Sequence, residues 1–190
     1  MHRFKKQRGG VISSELTADE VQLLQSLVAE LISLVGGEDE KPAEPAGSDD
    51  PFAAWAAEMA EDEPVQEPTD PVLKRLLPDA YPNDPKASAE FRRFTDRSLR
   101  QKKASDAEVV LAQLAATEDG SQPLRIPADD VGAWLRTLTS LRLAVAGRLG
   151  ITDNESADVI AAVDEDDPRA FMASVYDWLG FAQETLVIAL

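Results

Sequence analysis

The dipeptide Asp-Pro occurs four times in this 190-residue chain, at residues 50–51, 70–71, 84–85 and 167–168. An aspartate side chain accepts from the free backbone N–H groups at a helix start. Proline suits the first helical position because it lacks an N–H that would go unpaired there. Each pair is therefore a helix-start signal, and a chain punctuated this way is committed to a set of amphipathic helices. Thr17-Ala18-Asp19-Glu20 and Thr152-Asp153-Asn154-Glu155 add two capping boxes, in which cap and third helical residue satisfy each other's backbone.

The helices follow from apolar spacing. Val21, Leu24, Leu27, Val28, Leu31, Leu34 and Val35 form a stripe after Thr17, stopped by Gly36-Gly37. Val72, Leu73, Leu76 and Leu77 make a brief helix closed by Pro78. From Pro85 a helix runs through Phe91 and Phe94, with Thr95 as a cap for a continuation. The longer stretch beyond carries Leu99, Val109, Val110, Leu111 and Leu114, with an interruption expected near Ser105-Asp106. Asp129 is expected to cap a helix through Trp134, Leu135, Leu138, Leu141, Val145 and Leu149. A short helix to about Val163 follows. The final helix, from Asp167-Pro168, presents Phe171, Val175, Trp178, Ala182, Leu186 and Ala189, widened by Phe181 and Ile188. Apolar nearly all round, it is expected at the centre of a bundle. Around Gly9-Gly10 two short strand-like pieces predict a hairpin, which Leu124-Arg125-Ile126 can extend to three strands. The expected fold is mainly α: one helical domain over residues 1–190, with a small N-terminal β-hairpin or three-stranded antiparallel sheet.

Residues 38–70 differ in character. They hold twelve acids, one base (Lys41) and five prolines, a composition that buries too little apolar surface to offset ordering entropy. An acidic, proline-rich loop or insert is expected there. Phe52, Trp55, Ala56 and Met59 form one apolar island within it, read as a short docked helix or as a segment that folds on a partner.

Chemistry is constrained by what is missing. The chain has no cysteine and a single histidine, His2. Thiol nucleophiles, disulfides, zinc–thiolate sites, multi-histidine metal sites and a His-based triad are excluded. No phosphate-binding glycine loop or nucleophile-elbow motif occurs. Asp164-Glu165-Asp166-Asp167 could approach a hard cation but lacks the spacing of a calcium loop, and its acids suit a helix N-terminus better. No enzyme activity, cofactor or metal is expected. No apolar run is long enough to span a membrane, and the basic start lacks the apolar stretch of a secretory signal, so a cytoplasmic protein is expected.

The net charge is −16, yet 11 of the 19 bases fall in two short segments, Arg3–Arg8 and Lys86–Lys103. On a helix, Arg93, Arg97 and Arg100 share one face. With Lys102 and Lys103 they form a strip that could contact nucleic acid or a partner. The surrounding negative field favours instead an internal role, answering the chain's own acidic loop. Arg142 falls on the apolar face of its helix, where a charge needs a partner. Asp177 and Glu184, seven apart on the last helix, are the candidates for a structural ion pair.

The C-terminal half carries a resemblance. Asp129-Asp130-Val131-Gly132-Ala133-Trp134-Leu135-Arg136-Thr137-Leu138, Leu141-Arg142-Leu143-Ala144, Arg148-Leu149-Gly150-Ile151 and the closing Tyr176-Asp177-Trp178-Leu179-Gly180-Phe181-Ala182-Gln183-Glu184-Thr185-Leu186 resemble an actinobacterial family of unknown function. That family includes AosR-type oxidative-stress transcription regulators. The resemblance covers nearly the whole chain outside the acidic insert. It implies a cytoplasmic protein that works with an extracytoplasmic-function sigma factor to raise expression of sulfur-metabolism genes. Sensing in that type is attributed to a cysteine pair, which this chain lacks, so redox sensing does not carry over. The expected function is a non-enzymatic regulator acting through protein contacts, with a sigma factor or polymerase subunit as partner and DNA contact through the basic strip open. The alternative is an adaptor or scaffold for a proteolytic or other cytoplasmic machine. An apolar patch on the last two helices leaves a homodimer open.

Overall fold

The computed structural model describes residues 1–36 and 67–190. Most of the acidic, proline-rich stretch, and with it the helix expected at Phe52, Trp55, Ala56 and Met59, lies outside the described residues. Those described form β1 (Lys5–Lys6), β2 (Ile12–Ser14), α1 (Ala18–Gly36), α2 (Pro71–Leu76), α3 (Pro85–Ala115), β3 (Leu124–Ile126), α4 (Val131–Leu149), α5 (Asn154–Ala161) and α6 (Ala170–Ile188). A 3-10 turn, Ala128–Asp130, leads into α4. The mainly helical architecture and the three-stranded antiparallel sheet are as the sequence predicts.

The sheet has the order β1-β2-β3, with Lys5 opposite Ser13, Ile12 opposite Ile126 and Ser14 opposite Leu124. Its hairpin turns at Gly9 and Gly10, whose φ values of 85° and 83° lie where a Cβ would strain the backbone. Ile12, Leu124 and Ile126 are buried on its inner face. Beside them Phe4 meets Trp134 of α4 edge-on, ring centroids 6.3 Å apart.

The capping box of α1 forms as read. Thr17 N–H donates to Glu20 Oε2 at 2.8 Å, and Glu20 N–H donates to Thr17 Oγ1 at 3.3 Å. The stripe Val21, Leu24, Val28, Leu31 and Val35 is buried, and α1 packs on α3, where Ala107, Val110 and Leu114 are buried. Covering those five α1 side chains contributes on the order of 10 kcal/mol before chain entropy is set against it.

The centre of the bundle is α4, in contact with α1, α2, α3 and α6. Its Trp134, Leu138, Leu141 and Val145 are buried. The final helix is not central. It packs chiefly on α4, with a smaller contact to α5, and has Val175, Leu179, Ala182 and Leu186 turned inward and Phe171, Val187 and Ile188 exposed. Hydropathy reports how many apolar side chains a helix has, and neighbours decide how many are covered.

Four other expectations are corrected. The long helix has no break at Ser105-Asp106, because Asp106 is buried and ion-paired within a continuous α3. Asp129 does not cap α4. Asp130 occupies the cap position, and its carboxylate accepts from Gln113 Nε2 at 2.6 Å instead of from the helix backbone. The capping box of α5 is shifted by one residue. Ser156 N–H donates to Asp153 Oδ1 at 2.8 Å and Asp153 N–H donates to Ser156 Oγ at 3.0 Å, because the short serine hydroxyl can reciprocate in place of Glu155. Asp167, too, lies ahead of its helix: it accepts from Arg169 N–H at 2.7 Å, and α6 begins at Ala170.

Candidate functional site

The N-terminal half of α3 is built inside out. Asp84 opens it by accepting from Ala87 N–H at 2.9 Å, with Pro85 at the first helical position. From Pro85 to Leu99 the buried residues are Ser88, Arg92 and Asp96, all polar, while Phe91, Phe94 and Leu99 are exposed. The chain between α2 and α3 supplies the polar partners. Tyr81 N–H donates to Ser88 Oγ at 3.1 Å, Ser88 Oγ donates to Tyr81 O at 2.9 Å, and Arg92 pairs with Asp79. Tyr81 stands edge-on to Phe91, ring centroids 6.0 Å apart. Phe94 is 71% exposed, and the Arg93 guanidinium lies over its ring, 4.4 Å from the centroid.

The five bases of the expected strip separate. Arg93 and Arg97 lie one turn apart on either side of Phe94, and Arg97 is exposed. Arg100 turns inward, its Nε donating to Asp96 and its Nη1 to Val35 O at the end of α1, 3.3 Å away. Lys102 points round the helix to Asp106, Nζ to Oδ1 2.8 Å. Lys103 is half-buried against α4, with Ser140 Oγ 3.4 Å from its Nζ, and burial lowers its pKa against the opposing pull of Asp106. Two arginines and an aromatic ring are thus brought together, and three bases serve the fold. Spacing alone did not reveal Phe94 and Leu99 as surface residues. The signal was there in Ser88, Arg92 and Asp96, whose four-residue repeat marks the other side of the helix.

Arg142 does reach the last helix, but not the acids expected. Its Nη1 donates to Gln183 Oε1 at 2.9 Å and its guanidinium lies 5.2 Å from the centre of the Tyr176 ring. Among the described residues no ion pair joins it to Asp177 or Glu184. The reason is helical phase. Tyr176, Gly180 and Gln183 line the side of α6 that faces Arg142, and Asp177 and Glu184 sit about 100° round the helix from it, exposed.

The acids before α6 do not converge on a metal site. Asp167 accepts from Arg169 Nε at 3.0 Å and Nη2 at 2.7 Å, and these bonds hold its carboxyl pKa at about 2. Among the described residues no group of three His, Asp or Glu side chains could hold a metal ion, and no helix is long and apolar enough to cross a membrane.

Comparison with known proteins gives a consistent result. The family described as domain of unknown function (DUF2017) matches over residues 1–190. Proteins named "Oxidative stress regulator AosR" from Mycobacterium tuberculosis and Mycobacterium bovis are 30% identical over 198 aligned residues, covering 99% of this chain and 86% of each relative. A "Putative oxidative stress regulator AosR" from Mycobacterium leprae is 29% identical over the same span. No solved structure matches.

Proposed function

We propose, from the premise that this chain belongs to the DUF2017 family, that it is a non-enzymatic cytoplasmic regulator acting through protein–protein contacts. Its partner in this reading is a sigma factor or an RNA polymerase subunit, and it works without thiol redox sensing. Relatives named oxidative stress regulators support a regulatory role. With no cysteine in the sequence, no thiol of its own can oxidise.

The observation that carries the reading is the exposed Phe94 between Arg93 and Arg97, with Phe91 and Leu99 also exposed on the same half of α3. Aromatic and arginine side chains are the types that dominate protein interfaces. Covering one phenylalanine contributes about 1.5–3 kcal/mol, a useful share of an interface. A protein partner is favoured over DNA because Arg100, Lys102 and Lys103 are engaged by the fold, and strong phosphate binding needs several cations acting together.

The test is affinity capture from nuclease-treated native lysate at physiological salt, comparing the native chain with a Phe94→Ser, Arg97→Glu variant. Capture of a sigma factor or polymerase subunit by the native chain, lost in a variant of unchanged thermal stability, is the expected result. Capture of protease or chaperone subunits with polymerase absent would replace this reading with the adaptor.

A further inference from the structure

Helix α1 covers only part of α3. Leu16 and Thr17, ahead of α1, lie against Gly120 beyond the end of α3, and Val35 at the other end of α1 meets Arg100. The two helices are therefore antiparallel, α1 stops at Arg100, and residues 85–99 of α3 project past it. Ser88, Arg92 and Asp96 are the inward side of this projecting stretch. On the opposite side Ala87, Phe91, Phe94 and Ser98 follow one another at spacings of four, three and four residues, the seam pattern of a two-stranded helix pair. Phe91 and Ser98 are exposed, and Phe94 stays 71% exposed with Arg93 over one face of its ring. Glu90 and Arg97 are exposed too, each one position ahead of a seam residue and seven apart, so they edge the seam on the same side. Among the described residues no ion pair engages either of them.

We propose that this seam pairs with its own counterpart on a second copy of the chain, the two helices antiparallel about a two-fold axis that passes between Arg92 and Arg93. In that register Phe91 packs on Phe94 of the second copy and Phe94 on Phe91 of the second copy, with Ala87 against Ser98 in the flanking layers. The same register sets Glu90 against Arg97 of the second copy, and the axis repeats that pair, so acid meets base twice. One acid and one base at positions related by the axis are what a self-pairing surface needs. A parallel pairing would forfeit both ion pairs and set Arg97 beside Lys102 of the second copy. The last helix is the poorer surface for a second copy. Its charged residues are Asp177 and Glu184, with no base among them, so pairing there opposes acid with acid. The paired stretch of α3 is about four turns long, short for a permanent interface, so the dimer is reversible, with a Kd in the tens of micromolar. Phe94 and Arg97 also belong to the partner face proposed above. On that reading, and only on it, the dimer keeps the face covered until a partner displaces the second copy.

The test is sedimentation velocity of the full chain across the micromolar range at physiological salt. The native chain should pass from monomer to dimer and no further. Glu90→Arg and Arg97→Glu change exposed residues, and thermal unfolding checks that both variants fold. Each should weaken the dimer about tenfold or more by setting like charges against each other. Mixed one to one they should recover it, because the two variants carry opposite charges at both positions. Ile188→Asp, on the last helix, should leave the dimer unchanged. A chain that stays monomeric throughout the range, single variants that dimerise like the native chain, a mixture that remains monomeric, growth beyond a dimer, or loss of the dimer in Ile188→Asp would each overturn the proposal. A dimer that captures no partner removes the partner reading alone, and a chain that captures a partner and never dimerises removes this inference alone.

Discussion

Arg136 holds Asp106 with two parallel hydrogen bonds, Nε to Oδ2 at 2.7 Å and Nη2 to Oδ1 at 2.9 Å, and so fastens α4 to the middle of α3. Lys102 adds a third bond to Oδ1 from within α3. The hydrogen bonds from Arg136 lower the Asp106 pKa first of all, with Lys102 assisting, against the opposing effect of burial. A carboxyl whose folded-state pKa is depressed stabilises the protein above its unfolded pKa, and that stability is lost as pH falls through the folded value. Asp106→Asn is therefore expected to cost about 2 kcal/mol at neutral pH. The gap between native and variant should narrow below about pH 4, where the unfolded carboxyl protonates. Urea denaturation at pH 7 and pH 3 measures both.

Arg97 and Arg100 are one turn apart and should behave oppositely. Arg100 serves Asp96, a buried carboxylate whose Oδ1 already lacks a partner, and the Val35 carbonyl at the end of α1. Arg100→Ala should lower stability by about 2 kcal/mol, since a buried carboxylate then stands alone. Arg97→Ala should leave the melting temperature unchanged and weaken partner capture. Thermal unfolding and capture on the same two variants separate these roles.

Gly120 ends the turn after α3 with φ of 81°, and a Cβ there would sit 2.6 Å from Leu16 O and 3.0 Å from the Thr17 carbonyl carbon. Both backbones are fixed, so Gly120→Ala should cost about 3 kcal/mol, combining left-handed strain with overpacking. Gly9→Ala faces nothing within 4 Å and should cost only the backbone term, about 1 kcal/mol. Chemical denaturation of the pair gives the difference directly.

Trp134 Nε1 donates to Gln113 Oε1 at 2.7 Å, and Gln113 Nε2 passes the chain on to Asp130. Gln113→Leu leaves a buried indole N–H without an acceptor and should cost about 1–3 kcal/mol. In a Trp134→Phe background, where that N–H is gone, the same change should cost less. A double-mutant cycle by urea denaturation reads the coupling.

What the sequence made legible was mostly local. Thr17 and Glu20, Asp70-Pro71, Asp84-Pro85, the Gly9-Gly10 hairpin and the third strand at Leu124–Ile126 depend on near neighbours or simple alternation, and all are present. What escaped was tertiary. Asp106 looks like a helix break until Arg136 is known to meet it from another helix. Phe171 and Ile188 look like core until α6 is seen to flank the bundle. Periodicity puts Arg142 on the apolar face and points it at Asp177 and Glu184, whereas it meets Gln183, because the one-residue step from Gln183 to Glu184 is a 100° rotation that only packing resolves. At the candidate site the arginines were legible by spacing, and their division between surface and fold was not.

The pairing of Ile12 with Ile126 and the cover that α3 gives to α1 also govern how the chain is made. The first strands and the first helix leave the ribosome long before the residues that complete their sheet and bury Val21, Leu24 and Val28. Over that interval the nascent chain carries an apolar helix face that its later partners, α3 and β3, are not yet there to cover.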